Sequence, residues 1–293
     1  MGKVGLVLEG GAFRGIFTAG ALDFLLEMGV SFPYVIGVSA GSGNAVNFIA
    51  RQKGRTRRVI MHENADPFYG LSSLAKRGKL LDLDMMLGSY AYRQIPLDFK
   101  TFFGSETESE YVVACCESGE AEYLGHDGSE QSILRLCKAT CSVPFVCQPV
   151  EIGTKHYIDG SVIDSIPFLR ALERGCERVV VILTRPQGGS PTNYAKAKLL
   201  VDLCYRKKYP RLADALLRRR ENYERQMEAL SRLEREGNAL IIRPTDETIG
   251  HFENDKKSLE RFYRHGYGTM KRAYDRLADF IGEVLPLPEG ETV

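Results

Sequence analysis

Gly37-Val38-Ser39-Ala40-Gly41 fits G-x-S-x-G, the pattern in which a serine stands on a sharp strand-to-helix turn with its hydroxyl exposed as a nucleophile. A pattern this short also describes an ordinary glycine-rich turn, so its setting matters. Ser39 falls where a β-branched run, Tyr34 to Val38, gives way to helical sequence, Ala40 to Arg51. Gly37 and Gly41 are then the crowded flanks of a nucleophile elbow, where backbone meets backbone and no Cβ fits. The helix start behind Ser39 favours negative charge. A second glycine-rich turn, Glu9-Gly10-Gly11-Ala12-Phe13-Arg14-Gly15, follows the first strand-like run. A dinucleotide loop is disfavoured, because Ala12 replaces the second glycine of G-x-G-x-x-G and the next strand leads to Ser39 rather than to a ribose-binding acid. A P-loop would need G-K-[ST]. An oxyanion hole fits best: the amides of Gly10, Gly11 and Ala12, aimed from a helix start, would stabilise the oxygen of a tetrahedral intermediate. Loops at the C-terminal ends of neighbouring parallel strands lie side by side, so this one can converge on Ser39.

A nucleophilic serine needs a base. The histidines are His62, His126, His156, His251 and His265, and none stands in a sequence context that marks it as catalytic. Asp159, in Tyr157-Ile158-Asp159-Gly160-Ser161, ends a strand-like run before a glycine turn, where a carboxylate reaches a site rim. Taken alone it also reads as an acid starting an Asx turn.

Together LEGGAFRG at 8–15, GVSAG at 37–41, ATCSVPFVCQPV at 139–150 and YIDGSVIDSIP at 157–167 resemble, in order and spacing, the patatin-like phospholipases. The resemblance implies a Ser–Asp dyad in place of a triad, with Ser39 as nucleophile and Asp159 as base. It also implies that the glycine loop and Arg14 form or brace the oxyanion site, and that the substrate is a phospholipid, lysophospholipid or other ester. Two positions depart from the pattern: Ala12 where many relatives carry a third glycine, and Ser161 where Gly or Ala is more usual. Neither removes a reacting group. An α/β-hydrolase with a Ser-Asp-His triad fits less well, since Ser39 follows only the second strand. A catalytically silent scaffold of the same fold is the non-enzyme alternative.

The elements that must hold these residues are α/β. Val4 to Glu9 and Tyr34 to Val38 read as buried strands, Phe13 to Met28 and Ala40 to Arg51 as helices, giving a βαβα start and a parallel sheet covered on both faces. Residues 53–108 are less regular, with a Pro67-Phe68-Tyr69-Gly70 turn and short helices around Leu81 to Tyr92, and are expected to cover the site. Strands follow at Tyr111 to Glu117 and Ala121 to Leu124, a helix at Glu130 to Ala139, and a hairpin at Val150 to Ile152 and Lys155 to Ile158. Arg178 to Thr184 closes the main sheet. Beyond Ser190 the sequence is long, charged and helical, with one strand at Ala239 to Arg243 and a helix from Asp255 to Ile281. The expected fold is three-layer α/β/α and patatin-like, with a catalytic domain at 1–189 and a helical extension at 190–293 packed on it.

The composition, 293 residues with 44% hydrophobic and 26% charged content, permits a substantial core. A formal charge of +1 argues against a dedicated nucleic-acid binder. Residues 190–236 carry 12 Lys and Arg against 7 Asp and Glu, a basic stretch open to peripheral contact with anionic membrane. Its apolar stripe at Leu212, Leu216, Tyr223, Met227 and Leu230 instead suits packing on the body or a neighbour, which leaves a homo-oligomer open. No apolar run approaches the ~20 residues of a membrane span. The N-terminal residues lack a signal sequence, and seven cysteines suit free thiols in a reducing compartment, so a cytoplasmic location, peripheral to a membrane at most, is expected. Cys137, Cys141 and Cys147 match no zinc spacing, and neither metal nor cofactor is expected.

Overall fold

Four segments rich in Val, Ile and Leu set the architecture, because strands apolar on both faces must be covered on both. They are β1 (Val4–Leu8), β2 (Tyr34–Val38), β7 (Arg178–Ile182) and β8 (Ala239–Ile242), buried almost throughout. The computed structural model describes residues 2–62, 68–245 and 248–282. Between β2 and β7 run β3 (Glu108–Cys115), β4 (Ala121–Leu124), β5 (Val150–Ile152) and β6 (Lys155–Asp159). The eight strands form one sheet in the order β5-β6-β3-β2-β1-β7-β8, with β4 paired to β3. Pairs among β3, β2, β1, β7 and β8 are parallel, and those of β4, β5 and β6 antiparallel.

The helices are α1 (Gly15–Glu27), α2 (Ala40–Ile49), α3 (Arg55–Ile60), α4 (Gly70–Arg77), α5 (Phe99–Phe103), α6 (Glu130–Thr140), α7 (Phe168–Glu173), α8 (Lys198–Val201), α9 (Pro210–Arg235), α10 (Lys256–Arg272) and α11 (Tyr274–Ile281). A π-helical stretch, Met85–Gln94, stands where short helices are expected. They flank the sheet on two sides: α1, α2 and α10 share one core with Leu6, Leu8 and Ile182, while α7 and α9 share another with Val7, Val179 and Val181. This is the three-layer α/β/α arrangement. Pro67 lies outside the described residues, so the turn expected there is described only from Phe68 onward.

Two sequence expectations change. The sheet does not close at Arg178 to Thr184, because β8 adds in parallel beside β7, Val179 opposite Ala239 through Ile182 opposite Ile242. A parallel neighbour requires a crossover, and the long α9 supplies it, so sequence beyond residue 190 is part of the sheet. The helix expected from Asp255 to Ile281 is two helices, broken at Ala273. The break turns the chain so that Tyr274, Leu277 and Ile281 are buried, with Tyr274 edge-on to Phe24 at 5.3 Å.

The register of β3 brings the site together. β4 occupies one edge of β3 along Tyr111 to Ala114, so β2 and β6 must share the opposite edge in series. β2 ends with Val38 opposite Val112, and the antiparallel β6 ends with Asp159 opposite Val113. The C-terminal ends of two strands distant in sequence therefore meet head to head on adjacent positions of β3.

Candidate active site

Ser39 follows the last residue of β2 and precedes α2. Its backbone, at φ 54° and ψ −125°, lies in a region that a residue with a Cβ adopts only at a cost of about 1–3 kcal/mol. Packing enforces it. A Cβ on Gly37 would lie 2.6 Å from Gly41 O, and one on Gly41 would overlap Leu8 O. The flanking glycines thus let the turn fold onto β1 while the Ser39 side chain points away from the sheet end.

The hydroxyl of Ser39 donates to Asp159 Oδ2 at 2.7 Å. Asp159 Oδ1 accepts from Ser161 N at 2.8 Å, and Asp159 N donates to Ser142 O at 3.0 Å. Both side chains are buried, Ser39 at 6% and Asp159 at 4% exposure. Burial pushes the carboxyl of Asp159 above the usual carboxylate range, opposed by the nearby Arg219 cation and by the bonds from Ser39 and Ser161. Among the described residues, which include all five histidines, no histidine hydrogen-bonds to Ser39 or Asp159.

The gap between the ends of β2 and β6 is spanned by Thr140, at the end of α6. Its hydroxyl accepts from Ser39 N at 2.8 Å and donates to Val112 O at 2.6 Å. One buried side chain thereby pins the elbow to β3. Thr140 belongs to the segment at 139–150 noted in the sequence, but its type gave no sign of this role, since both partners lie far away in the chain.

The glycine loop runs beside Ser39. A Cβ on Gly10 would come within 3.1 Å of Ser39 Cβ, and one on Gly11 would overlap Thr184 Oγ1. Ala12 holds a left-handed conformation, φ 49°, which glycine would adopt without steric cost. Among the described residues the amides of Gly10, Gly11 and Ala12 donate to no protein acceptor, whereas Phe13 N donates to His251 O and Arg14 N to Gly11 O, each at 3.1 Å. The Arg14 side chain is held by the segment before α10. Its Nη2 bonds His251 Nε2 at 3.1 Å, and burial beside Arg185 lowers its guanidinium to about 10. Burial and the adjacent Arg14 push His251 down to about 3, so the imidazole is neutral and accepts from Arg14. Arg14 and His251 thus tie the loop to the segment before α10. Behind it, Glu9 is wholly buried against Arg185 and accepts from Thr184 N at 2.6 Å.

From Ser39 an apolar cavity extends under the 53–108 region, whose Val59, Ile60, Phe68, Leu83 and Met86 line it together with Phe252 from the far end of the chain. Cys137 and Cys141 are also in its wall. Burial pushes the Cys137 thiol up to about 12 and that of Cys141 well above its ordinary range, which leaves both protonated and apolar. Among the described residues no group of three or more His, Cys, Asp or Glu side chains converges.

A mostly parallel α/β sheet whose second strand ends in a serine elbow, paired with an aspartate and flanked by amides that have no protein acceptor among the described residues, defines a class. The family model described as patatin-like phospholipase matches residues 6–172, more than half of the chain, and the chain belongs to that family. A second model, a domain of unknown function (DUF6363), matches residues 209–282. The uncharacterized protein YjjU of Escherichia coli (strain K12) is 35% identical over 191 residues, which are 63% of this chain and 53% of that protein. Lysophospholipase NTE1 of Debaryomyces hansenii is 25% identical over 202 residues, 66% of this chain and 12% of that protein. The chain therefore spans about half of one relative and a small part of the other. The crystal structure of VipD from Legionella pneumophila shares the fold at a TM-score of 0.50, with 17% identity and coverage of 94% of this chain and 67% of that one.

Proposed function

We propose that the chain is a serine acyl hydrolase that cleaves a carboxylic ester of a phospholipid or lysophospholipid, with Ser39 as nucleophile and Asp159 as general base. The observation that carries this reading is the 2.7 Å bond between the two buried oxygens. A carboxylate with an ordinary value near 3.9 is a weak base for an alcohol, and burial of Asp159 strengthens it. Ser39 Oγ attacks the ester carbonyl as its proton passes to Asp159 Oδ2, and the carbonyl oxygen becomes an oxyanion held by the amides of Gly10, Gly11 and Ala12. Collapse breaks the bond to the leaving alkoxide, which takes the proton from Asp159. Asp159 then deprotonates a water that attacks the acyl-enzyme, and the free acid leaves as the proton returns to Ser39. The apolar cavity beside Ser39 suits the acyl chain.

Family membership and the name of the lysophospholipase relative support a lipid ester. Purified protein is expected to release fatty acid from a panel of phospholipids and lysophospholipids, read by mass spectrometry. Ser39→Ala and Asp159→Asn should each lower the rate by at least about a thousandfold, and full activity in either would refute the dyad.

Access to such a substrate calls for a lipid-facing surface, and no helix among the described residues is long and apolar enough to cross a membrane. Residues 190–236 are the proposed peripheral contact. Leu199 and Leu203, one helical turn apart, are 88% and 82% exposed, and Lys196, Lys198, Arg206, Lys207 and Lys208 surround them in sequence. Exposed leucines among cations suit shallow insertion into an anionic interface.

A further inference from the structure

Ser161 stands where the resemblance leads one to expect Gly or Ala, and its surroundings give its hydroxyl a physical reason. Arg219, on α9, donates from Nε to Ser161 O at 2.9 Å and from Nη2 to Ser161 Oγ at 3.0 Å. The guanidinium is buried, 7% exposed, and stacks over the Tyr194 ring at 5.4 Å. Ser161 N in turn donates to Asp159 Oδ1, so Arg219 grips both oxygens of the residue whose amide holds the base. Its charge also faces the carboxylate of Asp159. The other groups facing Asp159 are the hydroxyl of Ser39, the amide and hydroxyl of Ser161, Tyr194, Cys141 and Cys147. Burial pushes Tyr194 and both thiols upward, so all three are neutral across the working range. Arg219 is thus the cation that acts on the base.

We propose that Arg219 is a positioning residue for the reaction proposed above: it locks the Asp159-Gly160-Ser161 turn through Ser161 and sets a fixed positive charge against Asp159. This role rests on the dyad reading and comes from the segment that the second family model matches, outside the patatin-like match itself. The charge opposes the effect of burial, so Asp159 stays ionised at a lower pH than its setting alone would allow. The two contacts to Ser161 serve a separate purpose, holding Oδ2 on the Ser39 hydroxyl.

The pH dependence of kcat/KM for a soluble short-chain ester separates the two effects. Removing the cation raises the value of Asp159, so Arg219→Gln is expected to move the acid limb up by about one pH unit and to lower the plateau kcat at least tenfold. Arg219→Lys keeps the charge but not the fork, so its limb should stay with that of the wild type while kcat falls several-fold. Ser161→Ala loses a hydroxyl that also favours the charged form of Asp159, so its limb should move up, by less than that of Arg219→Gln. An unmoved limb in folded Arg219→Gln overturns the electrostatic role, and an unchanged kcat in Arg219→Lys overturns the positioning role. If Arg219→Gln does not fold, Arg219→Lys decides: a limb displaced upward, or an unaltered kcat, contradicts the proposal. A wild type with no Ser39-dependent activity would instead overturn the dyad, a result distinct from any pattern among the Arg219 variants.

Discussion

Ser39, Asp159 and Thr140 are linked by a chain of buried hydrogen bonds. Thr140 accepts from the amide of the strained elbow and donates to the carbonyl of Val112, a donor and an acceptor that water does not reach. Thr140→Val removes both bonds and leaves buried polar groups unpaired, at a cost of about 1–3 kcal/mol. The variant should melt at a lower temperature and lose ester hydrolysis well beyond what its stability explains, while Thr140→Ser keeps most of both. Equal activity in folded Thr140→Val would show that the elbow holds Ser39 without this brace. At this scale the sequence was only partly legible. Ser39, Gly37 and Gly41 announce themselves because their roles are local, a turn crowded within five residues. Asp159 stood out through a resemblance, since its partner lies 120 positions away. Thr140, Arg219 and His251 went unread because each acts through an element distant in sequence, and nothing in their types separates a brace from an ordinary polar residue.

Among the elements, α1 and α10 carry the closest packing. A Cβ on Gly266 of α10 would overlap Phe17 O of α1, and one on Gly20 of α1 would overlap Tyr263 O of α10. Backbone thus lies on backbone, which only small residues allow. Around that contact Phe17 packs on Phe262 at 5.5 Å and Tyr263 donates to Asp23 at 2.7 Å. Since α1 follows the glycine loop directly, the helix pair also sets where Gly10 to Ala12 sit. Gly266→Ala should force the helices apart and destabilise the protein by at least about 1–3 kcal/mol, seen as a lower midpoint in urea and reduced esterase activity. An unchanged midpoint would mean that the pair adjusts without cost. Strands and helices of the first half were legible from apolar period and turn residues. The α1–α10 contact was not, because the sequence displays Gly20 and Gly266 without showing that they face each other.

At the scale of the whole molecule, the residues beyond 190 are structural members of the site rather than an appendage. β8 extends the sheet, α9 brings Arg219 to the turn that follows Asp159, and the segment before α10 brings His251 to Arg14 and Phe252 to the cavity. The inward stripe of α9, which includes Leu212, Leu216 and Tyr223, and the strand at Ala239 to Arg243 are legible in the sequence; the parallel pairing of that strand with β7 is not, because the two are far apart in the chain. The same region carries the proposed lipid contact. The protein should bind vesicles containing anionic lipid and release them as salt rises, because the attraction is screened over about 8–10 Å at moderate ionic strength. Leu199→Asp combined with Leu203→Asp should weaken that binding at least tenfold while leaving hydrolysis of a soluble ester unaltered. Salt-independent binding, or none by the wild type, would count against the contact.

The dyad itself is most directly tested by labelling with a fluorophosphonate and weighing the intact protein across a pH series. A single adduct on Ser39 is expected, absent in Ser39→Ala and formed at least a hundredfold more slowly in Asp159→Asn. Because burial raises the value of Asp159, the labelling rate should climb as pH passes upward through that raised value and fall below it, where the carboxyl is protonated. His62→Ala, His126→Ala, His156→Ala and His265→Ala should label as the wild type does, and His251→Ala, which loosens Arg14, should label more slowly with its pH profile unmoved. An adduct that forms at full speed in Asp159→Asn, or whose pH profile disappears with one histidine, would contradict the assignment of Asp159 as the base.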